Sequence, residues 1–259
     1  MTKHRGFTLI ELAIVLVIMT VLIGGLAVPL SAQIQARRIA ETQRTLEEVR
    51  EAIFGYALSQ SIPVDHDNEP GTPDRNHTYL PCPDVDHDGL EDREAGGKCS
   101  GNEGNVPWAT LGTGAQDAWG NRLHYRLTSG APNDYGNSEA NSFSSASGGD
   151  NQICTTSSGG CAIGNMASDV PVVLVSYGPN SRGARNVNID PGDPTPDPPS
   201  GTSADELANL DGDTAYVSRP ATDASHSDGE FDDLVVWIPH GLIISRVCGL
   251  IGCTELPPP

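Results

Sequence analysis

Apolar residues are concentrated near the N-terminus of the chain. Positions 12–30 read LAIVLVIMTVLIGGLAVPL and contain no charged residue. As a helix rising 1.5 Å per residue, this run spans about 28 Å, close to the roughly 30 Å of a bilayer core. The pattern therefore predicts a membrane-spanning helix.

A cleaved secretory signal peptide is the competing interpretation of this run. The run is longer than the apolar core of about 7 to 15 residues that is typical of such peptides. It also lacks a small-residue cleavage box, since Ser31-Ala32 leads directly into the polar segment at 33–35. We therefore expect the apolar run to stay attached to the chain.

A second helical pattern continues beyond the apolar run. Apolar positions recur at steps of three and four residues, with charged residues between them. The positions that follow this period are Ile39, Thr42, Leu46, Val49, Ile53 and Tyr56. We expect one long helix from Phe7 to about Gln60. Gly24, Gly25 and Pro29 predict a kink or a melted stretch within it.

The rest of the chain is typical of short strands separated by turn-forming residues. Leu123, Tyr125 and Leu127 alternate with polar residues, as in a half-buried strand. Strands are predicted at 122–128, 170–177, 214–219 and 234–238. The last is a nearly continuous apolar run, which suits a buried central strand. The tracts 129–168 and 178–212 are too long for simple connections. The predicted fold class is α+β, a long N-terminal helix packed on an antiparallel β-sheet domain with long loops.

Composition excludes one class of partner. The chain carries 15 Lys and Arg against 34 Asp and Glu, a formal net charge of −19. Binding to nucleic acid requires clustered cations, and beyond the first 50 residues the basic side chains are few and scattered. We expect no nucleic-acid partner.

A short motif precedes the apolar run. A basic leader ends at Gly6, and the chain continues as RGFTLIELAIVLVI. This string resembles the class III leader of type IV pilins and type II secretion pseudopilins, and the resemblance covers about the first 30 residues. It implies that a prepilin peptidase cuts after Gly6 and that the new terminal residue, Phe7, is N-methylated.

Glu11 is the one carboxylate at the start of the apolar helix. A carboxylate in such a place is costly and is kept only where it finds a partner. The resemblance implies that Glu11 of one subunit attracts the terminal amine on Phe7 of its neighbour during filament assembly. The competing interpretation is a glutamate that only sits at the membrane interface.

The charges around the apolar run leave its orientation open, because Lys3 and Arg5 on one side face Arg37 and Arg38 on the other. The resemblance implies a single-pass inner-membrane protein with a cytoplasmic N-terminus. Its folded domain is then periplasmic, or extracellular once incorporated into a pilus. The predicted domains are a leader (1–6), a transmembrane and assembly helix (7–32), its amphipathic continuation (33–60) and a disulfide-containing β-rich globular domain (61–259).

The resemblance implies a filament subunit, a protein that acts by assembling with other subunits and not by turning over a substrate. Its partners are then other pilins or pseudopilins through the N-terminal helix, the prepilin peptidase and an inner-membrane assembly platform. The large, loop-rich domain predicts a minor subunit, since bulky insertions crowd a close-packed lattice. Two alternatives stay open: a filament-borne adhesin or substrate-binding module that uses the 129–168 and 178–212 loops, and a membrane-anchored periplasmic protein that never polymerises.

Six cysteines lie beyond the apolar run, as is typical of a domain in an oxidising compartment. They allow fifteen pairings. Loop-closure entropy and short sequence separations favour Cys82–Cys99, Cys154–Cys161 and Cys248–Cys253. Zinc binding is the competing interpretation, although the chain has no C-x-x-C or H-x-x-x-H pair.

An acidic segment between the first two cysteines has the spacing of a calcium loop. Asp84, Asp86, Asp88 and Asp92 occupy positions 1, 3, 5 and 9, a glycine occupies position 6, and Leu90 offers a backbone carbonyl at position 7. Position 12 lacks the glutamate of an EF-hand, and the segment is more similar to the short D-x-D-x-D-G loops of extracellular calcium modules. The competing interpretation is a solvated acidic turn.

The sequence offers no catalytic motif of the G-x-S-x-G, H-E-x-x-H or G-x-x-x-x-G-K type. Its histidines are isolated, and His124 is expected on the solvent-facing side of its strand. We therefore expect no enzyme. The acidic residues at 211–213 and 228–233 are interpreted as surface turns or hydrogen-bonding groups rather than as a second ion site.

Overall fold

The computed structural model describes residues 8–64, 75–129, 134–138, 148–159, 161 and 165–248. At 23–29, 61–64, 75–77 and 248 it describes the backbone alone. The chain divides into two compact units, residues 1–41 and residues 42–259.

The elements follow one another as a long helix and then short strands and helical turns. In chain order they are α1 (Leu9–Ser59), β1 (Ser61–Val64), β2 (Arg75–Thr78), β3 (Glu103–Asn105), α2 (Trp108–Leu111), β4 (His124–Leu127), β5 (Asn151–Cys154), β6 (Asn165–Val170), β7 (Val172–Ser176), α3 (Ala204–Leu207), β8 (Ala215–Val217), β9 (Leu234–Ile238), α4 (His240–Ile243) and a π-helical turn (Ile244–Cys248). The predicted α+β class is confirmed.

Helix α1 begins with a reciprocal cap. The backbone N–H and the hydroxyl of Thr8 each donate to Glu11 Oε2 at 2.8 Å, and the Glu11 N–H donates to Thr8 Oγ1 at 3.4 Å. This capping box satisfies donors that the first helical turn leaves free. The sequence predicted a kink or a melted stretch at 24–29, and the melted stretch is wrong because the helix continues through these residues. The helix ends at Ser59, one residue before the predicted end.

Among the residues that the structure describes, no helix is both long enough and apolar enough to cross a membrane.

The main sheet of the second unit has four antiparallel strands in the order β3–β4–β7–β9. Three of these strands, β4, β7 and β9, fall within predicted strands. The prediction of a central position for 234–238 is wrong, because within the described residues β9 lies at the edge of the sheet. The interior positions belong to β4 and β7, and all five residues of β7 are buried.

Two smaller sheets complete the described β-structure. Strand β1 pairs with β2, and β5 lies between an antiparallel β6 and a parallel β8. Strand β5 and the first four residues of β6 lie inside the tract 129–168, which the sequence predicted as loop. The mostly exposed β6 reads NMASDV and has no apolar alternation that could reveal it.

One face of the main sheet packs against the C-terminal part of α1. Leu46 and Ile53 from the helix are buried in one cluster with Tyr125, Leu127 and Leu174 from the sheet. The apolar positions that repeat at three and four residues in 42–57 therefore face the sheet, as the helical period predicts.

The other face of the main sheet is covered by the three-stranded sheet. Val173 and Val175 of β7 are buried in a second cluster with Ile153 and Tyr216. The second unit is thus layered as helix, sheet and sheet.

This second layer overturns the prediction of a solvent-facing polar side on β4. Arg126 is only 3% exposed, donates to Asn151 Oδ1 at 2.6 Å, and pairs with Glu103 and Asp150 at 3.4 and 3.6 Å. Burial, with nearby Arg126 adding to it, lowers the pKa of His124 to about 4. Arg126 is buried and His124 is half-buried because the three-stranded sheet lies over them.

Two disulfides join the pairs that sequence spacing predicts, Cys82–Cys99 and Cys154–Cys161. The third predicted pair, Cys248–Cys253, involves a residue outside the described part of the chain.

Candidate functional site

The predicted processing and assembly residues lie at the N-terminus. Gly6 and Phe7 are outside the described residues, so the structure places only Glu11. The Glu11 carboxylate is exposed and is bonded to Thr8 in the capping box. The T-x-x-E spacing at 8–11 is itself a sequence signature of this cap, which the resemblance to a leader motif left unnoticed.

The first turns of α1 are apolar on every face. The large apolar side chains between Leu9 and Leu22 are 49 to 90% exposed. A helix that is apolar all round is normally buried, either among other helices or in a membrane. This segment therefore has the surface of an element that packs against something outside its own chain.

A second candidate site is the acidic loop 84–92. The carboxylates of Asp84, Asp86 and Asp88 each place an oxygen within 4.8 Å of the others. Asp84 is only 1% exposed, and its Oδ2 accepts the Gly89 N–H at 3.0 Å. Its other oxygen, Oδ1, is buried and has no hydrogen-bond partner.

The electrostatics of this loop favour a positive charge. Burial raises the pKa of Asp84 to about 6, and the Asp86 and Asp88 carboxylates add to the increase. Among the described residues, none of the three aspartates forms an ion pair with a lysine or arginine. Arg122 interacts with Asp84 electrostatically but forms no ion pair with it. Clustered carboxylates with so little positive charge in contact are costly, so this arrangement suits a cation.

The remaining predicted ligands have other contacts. Asp92 Oδ2 accepts the N–H groups of Val85 and Asp86 at 2.6 and 3.0 Å, and Asp92 is not part of the group of three. The Leu90 N–H donates to Asp88 Oδ1 at 2.7 Å. Asp92 thus shapes the backbone of the loop. The ligand roles of Leu90 and Asp92 stay predictions.

Glu91 ties the loop to its surroundings, and sequence reasoning missed it. Its Oε1 accepts the Tyr56 hydroxyl at 2.6 Å, and its Oε2 accepts the Cys82 N–H at 3.0 Å and pairs with Arg93 at 2.8 Å. Tyr56 and Glu91 are 35 residues apart, so no local pattern could have joined them. The end of α1 is thereby bonded to a loop that the Cys82–Cys99 disulfide closes.

A third group of carboxylates combines Glu206, Asp232 and Asp233, again with oxygens within 4.8 Å of one another. Asp233 is 6% exposed, so the prediction of surface turns at 228–233 is wrong for this residue. Its Oδ2 accepts a hydrogen bond from Asn209 at 2.8 Å, as the hydrogen-bonding interpretation allowed.

This third group already contains a cation. Arg182 pairs with Glu206 at 3.1 Å, and the Asn180 side chain donates to the same carboxylate at 2.7 Å. Burial, with Glu206 adding to it, raises the pKa of Asp232 to about 7, and burial raises that of Asp233 well above its usual value. Arg182 supplies a positive charge within the group, while Asp232 Oδ1 is buried without a hydrogen-bond partner.

Comparison with known proteins supports the N-terminal resemblance. Residues 1–27 match the family model of the prokaryotic N-terminal methylation motif, the signature of type IV pilins and pseudopilins. The match covers about a tenth of the chain. Comparison with curated proteins and with solved structures gives no match.

Proposed function

We propose that this protein is a pilin-like filament subunit, assembled as a minor component into a type IV pilus or a type II secretion pseudopilus. The methylation motif at residues 1–27 carries the proposal. On this proposal a prepilin peptidase cleaves after Gly6, and Phe7 becomes the N-methylated terminus of the mature chain.

The surface of α1 supports assembly through the helix. The apolar side chains of Leu9–Leu22 are exposed on all faces in the single chain. In a filament they are buried against the helices of other pilins or pseudopilins, and before assembly they are buried in the inner membrane. The N-terminus is then cytoplasmic, and an inner-membrane platform delivers the subunit to the filament.

The folded domain supports a location outside the cytoplasm. Cys82–Cys99 and Cys154–Cys161 are disulfide-bonded, and such bonds persist in the periplasm and at cell surfaces. Its long connections give it a bulk that suits a minor rather than a repeating subunit. The role is structural: the protein works by assembly and not by turnover of a substrate.

Glu11 provides the test, because its charge and its capping role can be separated. Glu11→Gln keeps the hydrogen bonds of the capping box and removes the charge, whereas Thr8→Ala removes the cap and keeps the charge. Incorporation into filaments is measured by immunoblotting of sheared filaments against the cell fraction. Glu48→Ala, an exposed glutamate farther along α1, is the matched control.

We expect Glu11→Gln to lose incorporation at least tenfold, while Thr8→Ala and Glu48→Ala stay near the wild-type level. Normal incorporation of Glu11→Gln would remove the charge-based role of Glu11. Loss in Thr8→Ala alone would show that Glu11 acts only as a cap.

A further inference from the structure

We propose that the loop 84–92 is a calcium site in which the carboxylates of Asp84, Asp86 and Asp88 bind the ion, and that the bound ion holds this loop against the end of α1. The proposal concerns the folded domain and does not depend on whether the chain enters a filament.

The strongest observation is the state of Asp84. Its side chain is 1% exposed, one oxygen is used by the Gly89 N–H, and the other is buried without a partner. A buried oxygen of this kind costs free energy unless something fills its coordination. The oxygens of Asp86 and Asp88 lie within 4.8 Å of it, so a single cation can be shared by all three.

The other acidic group also holds a buried oxygen without a partner, Asp232 Oδ1, and differs from this one in its charge balance. At Glu206, the guanidinium of Arg182 lies 3.1 Å from the carboxylate and supplies a positive charge. Within the described residues, Asp84, Asp86 and Asp88 have no such pair, although they bring three formal charges together. Arg122 acts on Asp84 without forming an ion pair, so in the described part of the chain this group has three carboxylates and no cation in direct contact.

The chemistry of the loop favours calcium among the divalent ions. All three donors are carboxylate oxygens, which suit hard cations, and no thiolate or imidazole takes part. His87, in the middle of the loop, has its Nδ1 within 2.8 Å of Asn105 Nδ2 and is not in the group. Donors carried on a short loop suit the flexible coordination of calcium better than the strict octahedron of magnesium.

The loop is attached to its surroundings at the residues that directly follow the three aspartates. Gly89 adopts φ +92°, and a Cβ there would lie 2.4 Å from the Trp108 ring, so the backbone rests on the indole. Its carbonyl accepts the Ala109 N–H at 2.8 Å. The Glu91 N–H donates to Thr110 Oγ1 at 3.0 Å.

These contacts connect the ion to the long helix. Asp88 is three residues from Glu91, and Glu91 accepts the Tyr56 hydroxyl at 2.6 Å. An ion that fixes the backbone at 84–90 also fixes the position of the Glu91 carboxylate. Calcium should therefore stabilise the last turns of α1 as well as the loop itself.

Ion binding is tested on the full chain in detergent, freed of divalent ions with EDTA and titrated with calcium chloride by calorimetry. We expect one site with a Kd on the order of 10⁻⁴ M, as in extracellular calcium modules, and much weaker binding of magnesium. Asp86→Asn and Asp88→Asn should each weaken binding at least tenfold. The exposed Asp197→Asn, far along the chain, is the matched control and should bind normally.

The position of the ion is tested with terbium, a calcium analogue that luminesces when an adjacent tryptophan is excited. Because Gly89 rests on Trp108, Trp108→Phe should abolish the luminescence even at terbium concentrations that saturate the site. Two results would overturn the assignment of the site. One is a calcium affinity that Asp86→Asn and Asp88→Asn leave unchanged, and the other is terbium luminescence that survives Trp108→Phe.

The link to α1 is tested by amide hydrogen exchange of residues 50–59 with and without calcium. At calcium concentrations that saturate both proteins, we expect the ion to slow exchange there in the wild type and to have a much smaller effect in Tyr56→Phe. Normal calcium binding without any slowing in the wild type would overturn the link, even if the site itself stands.

Discussion

The hydroxyl of Tyr56, near the end of α1, lies 2.6 Å from Glu91 Oε1 in the acidic loop. Burial, with the Glu91 carboxylate adding to it, raises the pKa of Tyr56, so the phenol stays protonated and donates the bond. One hydrogen bond thus joins the helix proposed to build the filament core to the loop proposed to bind calcium.

Removal of this hydroxyl should destabilise the domain. Hydrogen bonds to a charged acceptor contribute more to stability than hydrogen bonds to a neutral one. Because Glu91 is a carboxylate, we expect Tyr56→Phe to lower the free energy of unfolding by about 2 kcal/mol. Tyr79 is a matched control, because its hydroxyl donates at 3.1 Å to the neutral side chain of Gln60. Urea unfolding in detergent measures both variants, and an equal or larger loss in Tyr79→Phe would contradict the prediction.

The two disulfides should differ in their effect. In the loop-entropy model the stabilisation grows with the length of chain that is closed, and the separations here are 17 residues for Cys82–Cys99 and 7 for Cys154–Cys161. We expect replacement of the first pair by serines to cost about 3 kcal/mol, and of the second about 2.5 kcal/mol. Removal of the first pair should also weaken calcium binding, because it closes the loop 84–92, whereas removal of the second should not.

Substitution of Gly178 by alanine should destabilise the protein both through its backbone angle and through a steric clash. Its φ is +60°, and a Cβ would lie 2.4 Å from the Asp232 carbonyl oxygen. Gly112 has a similar φ of +66°, with nothing within 4 Å of its Cβ position. We expect Gly112→Ala to cost about 1 kcal/mol, the ordinary left-handed penalty, and Gly178→Ala to cost clearly more. Similar melting temperatures for the two variants would contradict this packing.

Stability should fall as the pH rises through neutrality, in part because of Asp232. Its pKa is about 7 in the folded state, against an ordinary value of 3.8, so between these values the folded chain holds more protons than the unfolded chain. Glu206, Glu230 and Arg182 lie around it, with the buried carboxylate of Asp233 beside it. Stability from this group is therefore greatest at acidic pH and is lost by about pH 8.

Asp232→Asn removes that titration. In EDTA at pH 8 the variant should be more stable than the wild type by on the order of 1 to 2 kcal/mol, and the difference should vanish towards pH 4. Asp233 keeps its own raised pKa, so a shallower pH dependence remains. Urea unfolding across this range gives the profile, and a variant less stable than the wild type at pH 8 would contradict the account.

Local patterns were enough to predict the elements with a clear period. The three-and-four spacing from Leu46 to Tyr56 predicted the end of α1 to within a residue, and the apolar run at 234–238 coincides with β9. The disulfides Cys82–Cys99 and Cys154–Cys161 followed from their short sequence separations. The spacing of the acidic loop placed Asp84, Asp86 and Asp88 together, but Asp92 is not part of that group.

Features set by distant contacts could not be predicted in this way. The run at 234–238 is apolar enough for a central strand, but its side chains are covered by the layers on the two faces of the sheet. An apolar sequence therefore did not show that the strand lies at the sheet edge. His124 and Arg126 look like surface residues because nothing nearby in sequence shows that β5 and β8 cover them. The Tyr56–Glu91 bond depends on the path of 35 residues.

The central claim is that the chain is processed and assembled as a pilin-like subunit, and its mature N-terminus tests this most directly. Filaments sheared from the cells and the remaining membranes are analysed by mass spectrometry for the first peptide of the protein. The account predicts a peptide that begins at N-methylated Phe7, at low abundance relative to other pilin-like proteins. A mature protein that still carries Met1 and the leader through Gly6 would contradict it.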